Sequence, residues 1–326
     1  MLRIKAAEEV LSFYSLQEPM VEFIRHNENM TFKVTDKSDG KLYLLRIHSP
    51  STAGLLGIQH APQGLESEMY ILQELSKDGT LHVQKPVTNR NGGLVTEYLT
   101  SGKDVCYATL LEWIVGSTLT LQEDNIEQIA YQLGEKLAAL HQFSRHTELT
   151  GLQRPVYDAE RIDAAVEELK YGVVSELYSQ EQYEIITQVL GIIKEQFRVL
   201  ETLPDQWGIV HADVQLGNVI ITENGPCLID FGFSGYGYYL FDLGSAGTVL
   251  PGELRQLFLQ GYTSAAAFSW DQIRYIEGQI FMDTFISYLF FIRDSARNDW
   301  IKQSAAKLCS TLCKDFIAGK EVFYSF

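Results

Sequence analysis

The chain contains few of the features that would identify a secreted, membrane or nucleic-acid-binding protein. Its four cysteines (Cys106, Cys227, Cys309, Cys313) are too few for a disulfide framework and form no C-x-x-C pair, which points to a reducing compartment. Cys309 and Cys313 stand one helical turn apart with no histidine or second pair nearby, so they read as buried apolar thiols rather than metal ligands. Basic residues are scarce, 26 Lys plus Arg against 42 Asp plus Glu, and no basic run is set apart from the acidic excess. Such a surface repels a phosphate backbone, so nucleic acid is not an expected partner. The longest apolar stretch, Ile280 to Ile292, is broken by Asp283 and too short to span a bilayer. The first nine residues turn acidic before any apolar segment develops, so no secretory leader and no membrane partner are expected, and the chain reads as cytoplasmic.

What is present is the composition of a globular protein, 46% hydrophobic and 21% charged over 326 residues, a length at which a single core gives way to two lobes. Apolar alternation at Thr31 to Thr35 and Lys41 to His48, separated by an Asp36 to Gly40 turn, predicts a β-hairpin. Leu65, Met69, Leu72 and Leu75 recur at helical spacing, with Glu68 on the same stripe. Strand-like runs follow at Leu94 to Leu99 and Ala108 to Val115. Helices are predicted at 126–143, 159–170, 180–200, 252–262, 270–293 and 305–319, around a β-rich island at 208–231. The fold class is therefore α+β: a small β-rich N-terminal lobe over 1–113 and a larger, mostly helical C-terminal lobe over 114–326, hinged near Ile114-Val115-Gly116.

The chemistry-bearing segment is His211-Ala212-Asp213-Val214-Gln215-Leu216-Gly217-Asn218, followed across a hairpin by Ile229-Asp230-Phe231-Gly232. The order His-x-Asp-x-x-x-x-Asn, hairpin, Asp-Phe-Gly is that of the catalytic and metal-binding loops of kinase-type phosphotransferases. Asp213 is the candidate catalytic base, orienting or accepting the proton of an acceptor hydroxyl; Asn218 and Asp230 are the candidate Mg²⁺ ligands. An Asp and an Asn flanking a turn also serve as simple caps, so the ordered set rather than any single residue carries the reading. His211 is assigned to holding the loop, not to proton transfer.

Nucleotide contacts fall to the first lobe. Arg46, in Tyr43-Leu44-Leu45-Arg46-Ile47-His48, stands where kinases place a lysine on the α- and β-phosphates, and Glu68 follows on the helix to pair with it. The guanidinium carries the same charge in a wider planar fork. The turn His26 to Thr31 lacks the glycines of a phosphate-cradling loop; backbone groups near Asn29 and Thr31 are candidate phosphate contacts, and a plain turn is the alternative. Main-chain groups at Glu112 and Ile114 are candidate readers of an adenine edge.

These segments together resemble the aminoglycoside-phosphotransferase and choline-kinase superfamily, in particular its bacterial branch of homoserine-kinase-like and stress-response-kinase-like proteins. Glu66 to Leu72, Leu110 to Gly116, Leu137-Ala138-Ala139-Leu140-His141 and Tyr239-Leu240-Phe241-Asp242-Leu243 extend the resemblance over most of the chain. It implies a protein-kinase-like fold, ATP or GTP as donor, Mg²⁺ at Asn218 and Asp230, a structural Asp242, and a packed or hydrogen-bonded His141. Ala212 and Gln215 depart from the family's usual Gly and His. The expected partner is a small-molecule hydroxyl acceptor such as an aminoglycoside, amino alcohol or homoserine-like compound. A Ser/Thr protein kinase and a nucleotide-binding pseudokinase are the alternatives. Asp271, Glu277, Asp283 and Asp294 are acids available to an amine-bearing acceptor, or simply solvated helix faces.

Overall fold

The computed structural model describes residues 2–26, 29–48, 57–100 and 104–326. Asn27 and Glu28, in the expected phosphate-side turn, lie outside the described residues.

The first lobe is built on a six-stranded sheet in which β1 (Pro19–His26), β2 (Asn29–Asp36), β3 (Leu42–His48), β6 (Val105–Glu112) and β4 (Pro86–Val87) follow in that order, with β5 (Thr96–Leu99) also paired to β6. All pairings are antiparallel. Strand periodicity divides its side chains between two faces. Phe32, Val34, Leu45 and Ile47 pack under α1 (Leu2–Leu11), whose Ala7, Val10 and Leu11 close a small separate core. Thr31, Arg46 and Thr109 fall on the opposite face, directly across from one another in register. The helix α2 (Pro62–Asp78) starts with Pro at its first position and stops at Gly79 in the left-handed region. It buries Met69, Leu72 and Leu75 in the larger core and leaves Glu68 facing Arg46.

The second lobe is helical: α3 (Ile126–His146), α4 (Ala159–Val174), α5 (Gln180–Leu200), α6 (Leu240–Val249), α7 (Gly252–Ala265), α8 (Ile273–Phe291), α9 (Asn298–Ser310) and α10 (Leu312–Ile317). α3 crosses α7 closely because Gly134 and Gly261 leave no Cβ where each meets the other helix's backbone. Two small sheets sit among these helices. One runs β11 (Gly225–Leu228), β10 (Val219–Thr222), β7 (Ser117–Thr118); the other runs β8 (Val156–Tyr157), β12 (Gly235–Tyr238), β9 (Trp207–Val210). The loop 211–218 leaves β9 for β10, and Asp230 lies between β11 and β12, so both sheets hold the motif. This is the two-lobed, protein-kinase-like α+β fold expected from the sequence.

Several elements differ from expectation. Residues Asn29 to Thr31 open strand β2 rather than forming a turn, and β1 precedes them. β1 is an edge strand with exposed Met20, Glu22 and Ile24, so it shows no clean apolar alternation. α6 was not anticipated because Leu240 to Gly247 are buried on every side, which removes the amphipathic period. β6 ends at Glu112, leaving Ile114 and Val115 in the connector, and the last helix is split at Thr311 into α9 and α10. Among the described residues no helix is long and apolar enough to cross a membrane. All four cysteines are buried, and none of them is in a disulfide.

Candidate active site

The loop that carries Asp213 is fastened from below by one carboxylate. Asp242, buried on α6, accepts the backbone N–H of His211 at 2.8 Å and of Ala212 at 2.7 Å. His141 Nε2 lies 3.0 Å from the same carboxylate, and His141 Nδ1 lies 2.8 Å from the Tyr262 hydroxyl. Burial holds the His141 pKa below its ordinary value against the pull of Asp242. A neutral ring then donates from Nε2 to Asp242 and accepts from Tyr262 at Nδ1. His211 is used similarly: Nε2 lies 3.0 Å from the Ile229 carbonyl, while Nδ1 accepts the Asp213 N–H at 3.3 Å. Both rings serve architecture. Ala212 sits at φ 62, in the left-handed region, which explains why glycine is the family's usual choice there and shows the loop held by its hydrogen bonds despite the strain.

Asp213 is half-buried at the floor of the cleft between the lobes. Its Oδ1 accepts Gln215 Nε2 at 2.9 Å and its Oδ2 accepts Asn218 Nδ2 at 2.6 Å. Burial raises its pKa and nearby Asp230 adds to this, opposed by His211 and by the two amide donors. Gln215, a departure from the family pattern, is therefore an orienting partner of Asp213. Asn218 spends its amide nitrogen on Asp213, on the backbone carbonyl at 3.1 Å as well as the carboxylate. Both partners are acceptors, so the orientation of the amide is fixed and its Oδ1 is left for a cation. Asp230, at φ 63, points into the same cleft, while Phe231 is buried edge-on against His211 at 4.6 Å.

This donor set fits Mg²⁺, which takes one or two protein oxygens and completes its octahedron with water and substrate phosphates. Among the described residues no group of three or more His, Cys, Asp or Glu is arranged to hold a metal by itself.

The first lobe brings its charges to the same place. Arg46 Nη2 lies 2.7 Å from Glu68 Oε1 and Nη1 3.5 Å from Asp230 Oδ1, while Nε donates to Thr109 Oγ1 at 3.3 Å. Burial works against the charge on Arg46, but Glu68 and Asp230 more than offset it and raise the pKa. Asn29 borders the cleft, and its Oδ1 accepts the Thr31 hydroxyl at 2.8 Å. Of the two expected adenine readers, Glu112 already donates its N–H to the Lys85 carbonyl at 2.8 Å; Ile114 is buried beyond the end of β6.

Sequence reasoning missed Arg154. Its buried guanidinium donates to the carbonyls of Phe231 (2.9 Å), Gly232 (2.6 Å), Ser234 (2.6 Å) and Gly64 (3.0 Å), tying the segment after Asp230 to the start of α2. No local pattern marks it, because its partners are main-chain atoms distant in sequence. Also missed was Arg25, whose Nη2 lies 3.7 Å from Asp230 Oδ2.

The whole cleft, with Arg25, Asn29, Asp213, Asn218 and Asp230 on it, encloses about 830 Å³, and its remaining lining includes Tyr157, Phe233, Phe241, Phe290 and Trp300 together with Asp283 and Asp294. Asp283 on α8 lines the same cleft as Asp213, near enough to feel its charge. Burial, with the negative charges of Asp213 and Asp242, pushes its pKa up to about 7. Asp271 and Glu277 do not join it; Glu277 instead binds the backbone N–H of Phe323 at 2.8 Å and packs the C-terminal segment.

The chain is similar to several known proteins. The amicoumacin kinase of Bacillus subtilis (strain 168) is 23% identical over 235 residues, 72% of this chain and 64% of that protein, so the match spans less than two thirds of the relative's length. Among solved structures, a microcompartment-associated aminopropanol kinase superposes with a TM-score of 0.79 at 21% identity, covering 97% of this chain and 98% of the other. An amicoumacin kinase in complex with AMP-PNP and Ca²⁺ gives 0.75 at 18% identity over 99% and 95% of the two chains. Choline kinase from Cryptosporidium parvum Iowa II gives 0.68 at 16% identity over 97% of each. The model of the phosphotransferase enzyme family matches residues 21–276, more than half of the chain, and the chain belongs to that family.

Proposed function

We propose that this protein transfers the γ-phosphoryl group of ATP, with GTP as a possible alternative donor, to the hydroxyl of a small amine-bearing molecule. The observation that carries the reading is the pairing of Asp213 and Asp283 across one aromatic-walled cleft. Asp213 is placed to orient the acceptor hydroxyl and take its proton as the acceptor oxygen forms its bond to phosphorus and the bond to the β-phosphate oxygen breaks. Asp283, set deeper among aromatic rings, suits a cationic group on the same molecule, since a carboxylate and ring faces both attract an ammonium. Asn218 and Asp230 would hold the divalent cation, which neutralises phosphate charge when bound. Arg46, braced by Glu68, suits the non-transferred phosphates, and main-chain groups near Glu112 and Ile114 the base. The aromatic side chains that line the cleft around Asp213 favour a small acceptor over a protein chain.

The test is Mg²⁺-dependent consumption of ATP and GTP against amino alcohols, aminoglycosides, homoserine-like compounds and matched analogues in which hydroxyl replaces amine, with Asp213→Asn as control. Stimulation by amines and not by their deaminated analogues is expected. Equal stimulation by both sets would remove the role given to Asp283, and phosphorylation of protein substrates alone would remove the small-molecule reading.

A further inference from the structure

β1 is irregular at one place, and that place decides where an arginine points. Its register with β2 runs Glu22 to Lys33 and Phe23 to Phe32, then skips Ile24 and resumes with Arg25 opposite Thr31. In an unbroken ladder Ile24 would oppose Thr31, and Arg25 would face the core beneath α1. The extra residue is a β-bulge, which re-aims the side chain that follows it. Thr31 is also opposite Arg46 on β3, and residues directly opposite share a face. The bulge thus puts Arg25 in one row with Thr31 and Arg46, on the face that meets Asp230.

Two guanidinium groups therefore meet the Asp230 carboxylate, one on each oxygen: Arg46 at 3.5 Å from Oδ1 and Arg25 at 3.7 Å from Oδ2. They are held very differently. The Arg46 side chain is 5% exposed and fixed by Glu68 and Thr109. The Arg25 side chain is 56% exposed and, among the described residues, its one ion-pair contact is the long one to Asp230, the kind of surface pair that contributes little and exchanges readily. A cation binding at Asp230 would compete with Arg25 and leave its guanidinium free in the cleft, beside Asn29 and across from Asp213.

The chain also has no glycines between His26 and Thr31 to wrap backbone N–H groups around a terminal phosphate, and it brings net charge −16 to a reaction of anions. We propose that Arg25 supplies what the glycine loop does not: its guanidinium binds the terminal phosphate of the donor and neutralises that group as it moves toward the acceptor. A planar fork matches a phosphate face with two parallel hydrogen bonds. Arg297, the other cation bordering the cleft, packs on Phe291 at 5.0 Å beside Asp294, on the acceptor side and away from the row containing Arg46.

The inference rests on the nucleotide and metal roles proposed above, and its test separates the two. Equilibrium binding of Mg-ATP and Mg-ADP, without acceptor, is measured for the unaltered protein, Arg25→Ala and Arg25→Lys. Arg25→Ala is expected to lose ATP affinity by about 10- to 100-fold, the worth of a charge-assisted contact, with ADP affinity within about twofold because ADP lacks the contacted group. Arg25→Lys should recover part of the difference, and turnover of Arg25→Ala should fall by about 10²- to 10³-fold, as on loss of a charge-stabilising donor. Equal weakening of both nucleotides, or none, overturns the role of Arg25 while leaving the site intact. Absence of Mg²⁺-dependent nucleotide binding by the unaltered protein overturns the site and this role together.

Discussion

Asn218 Nδ2 donates to Asp213 Oδ2 at 2.6 Å, so the residue with a carbonyl oxygen free for the metal also sets the direction in which the candidate base presents its carboxylate. A cation held by that carbonyl oxygen would be mechanically joined to the orientation of Asp213 through one amide.

Substituting the candidate base and substituting a candidate metal ligand should produce different defects. Asp213→Asn is expected to lower kcat by about 10²- to 10⁴-fold while nucleotide affinity stays near that of the unaltered protein, because the base acts in the transition state. Asp230→Ala should instead weaken Mg²⁺-dependent nucleotide binding itself. Titration calorimetry beside steady-state rates distinguishes them; normal turnover in Asp213→Asn would sink the assignment of the base.

The Arg46–Glu68 pair is almost fully buried, with side chains 5% and 1% exposed. Glu68→Ala leaves the guanidinium with the Thr109 hydroxyl and the longer contact to Asp230, and removes its closest carboxylate. An uncompensated buried charge costs about 3–5 kcal/mol, so a marked fall in denaturation midpoint is expected, together with loss of nucleotide affinity. A variant as stable as the parent would show that solvent reaches Arg46.

Asp242 should behave as a structural keystone. Asp242→Ala orphans the N–H groups of His211 and Ala212 and the Nε2–H of His141. Unsatisfied buried donors cost about 1–3 kcal/mol each, and Ala212 would be released from its left-handed conformation. Loss of stability with a disordered 211–218 loop, read by hydrogen exchange at those amides, is the expected outcome. Unchanged protection there would contradict it.

Asp283 carries a pH signature. Its folded pKa, pushed up to about 7, lies above the ordinary aspartate value, so the folded chain holds a proton there that the unfolded chain has lost. Stability contributed by that proton is present at acidic pH and declines as pH rises towards 7. Asp283→Asn removes the penalty and should stabilise the protein at pH 8 by about 1–2 kcal/mol. An ammonium binds the ionised form, so KM for an amine acceptor should fall as pH rises from 6 to 8 in the unaltered protein, with that dependence flattened in Asp283→Asn. A pH-independent KM in the unaltered protein would exclude a titrating Asp283 from acceptor binding.

The local parts of this design were legible in the sequence. The spacing of Asp213, Asn218 and Asp230, the Arg46 strand and the stripe bearing Glu68 are short-range patterns, set by the periods of strand and helix and by the reach of one hairpin. The edge strand β1 and the buried helix α6 were not, because exposure on one and burial all round the other erase the period that announces such elements. Arg154 gave no signal either, since its acceptors are carbonyls far away in the chain.

Residue order alone therefore determined the class of fold and the kinase-type motif, and named the candidates for handling phosphate and metal. Tertiary structure decided which further groups join them. It brought Asp283 into the same cleft as Asp213, gave Asp242 two loop amides and a neutral histidine to hold, and through a single bulged residue turned Arg25 onto the face of Arg46. The physical reason is that these relationships depend on packing between segments far apart in sequence and on the direction of a side chain, neither of which is encoded in any local period.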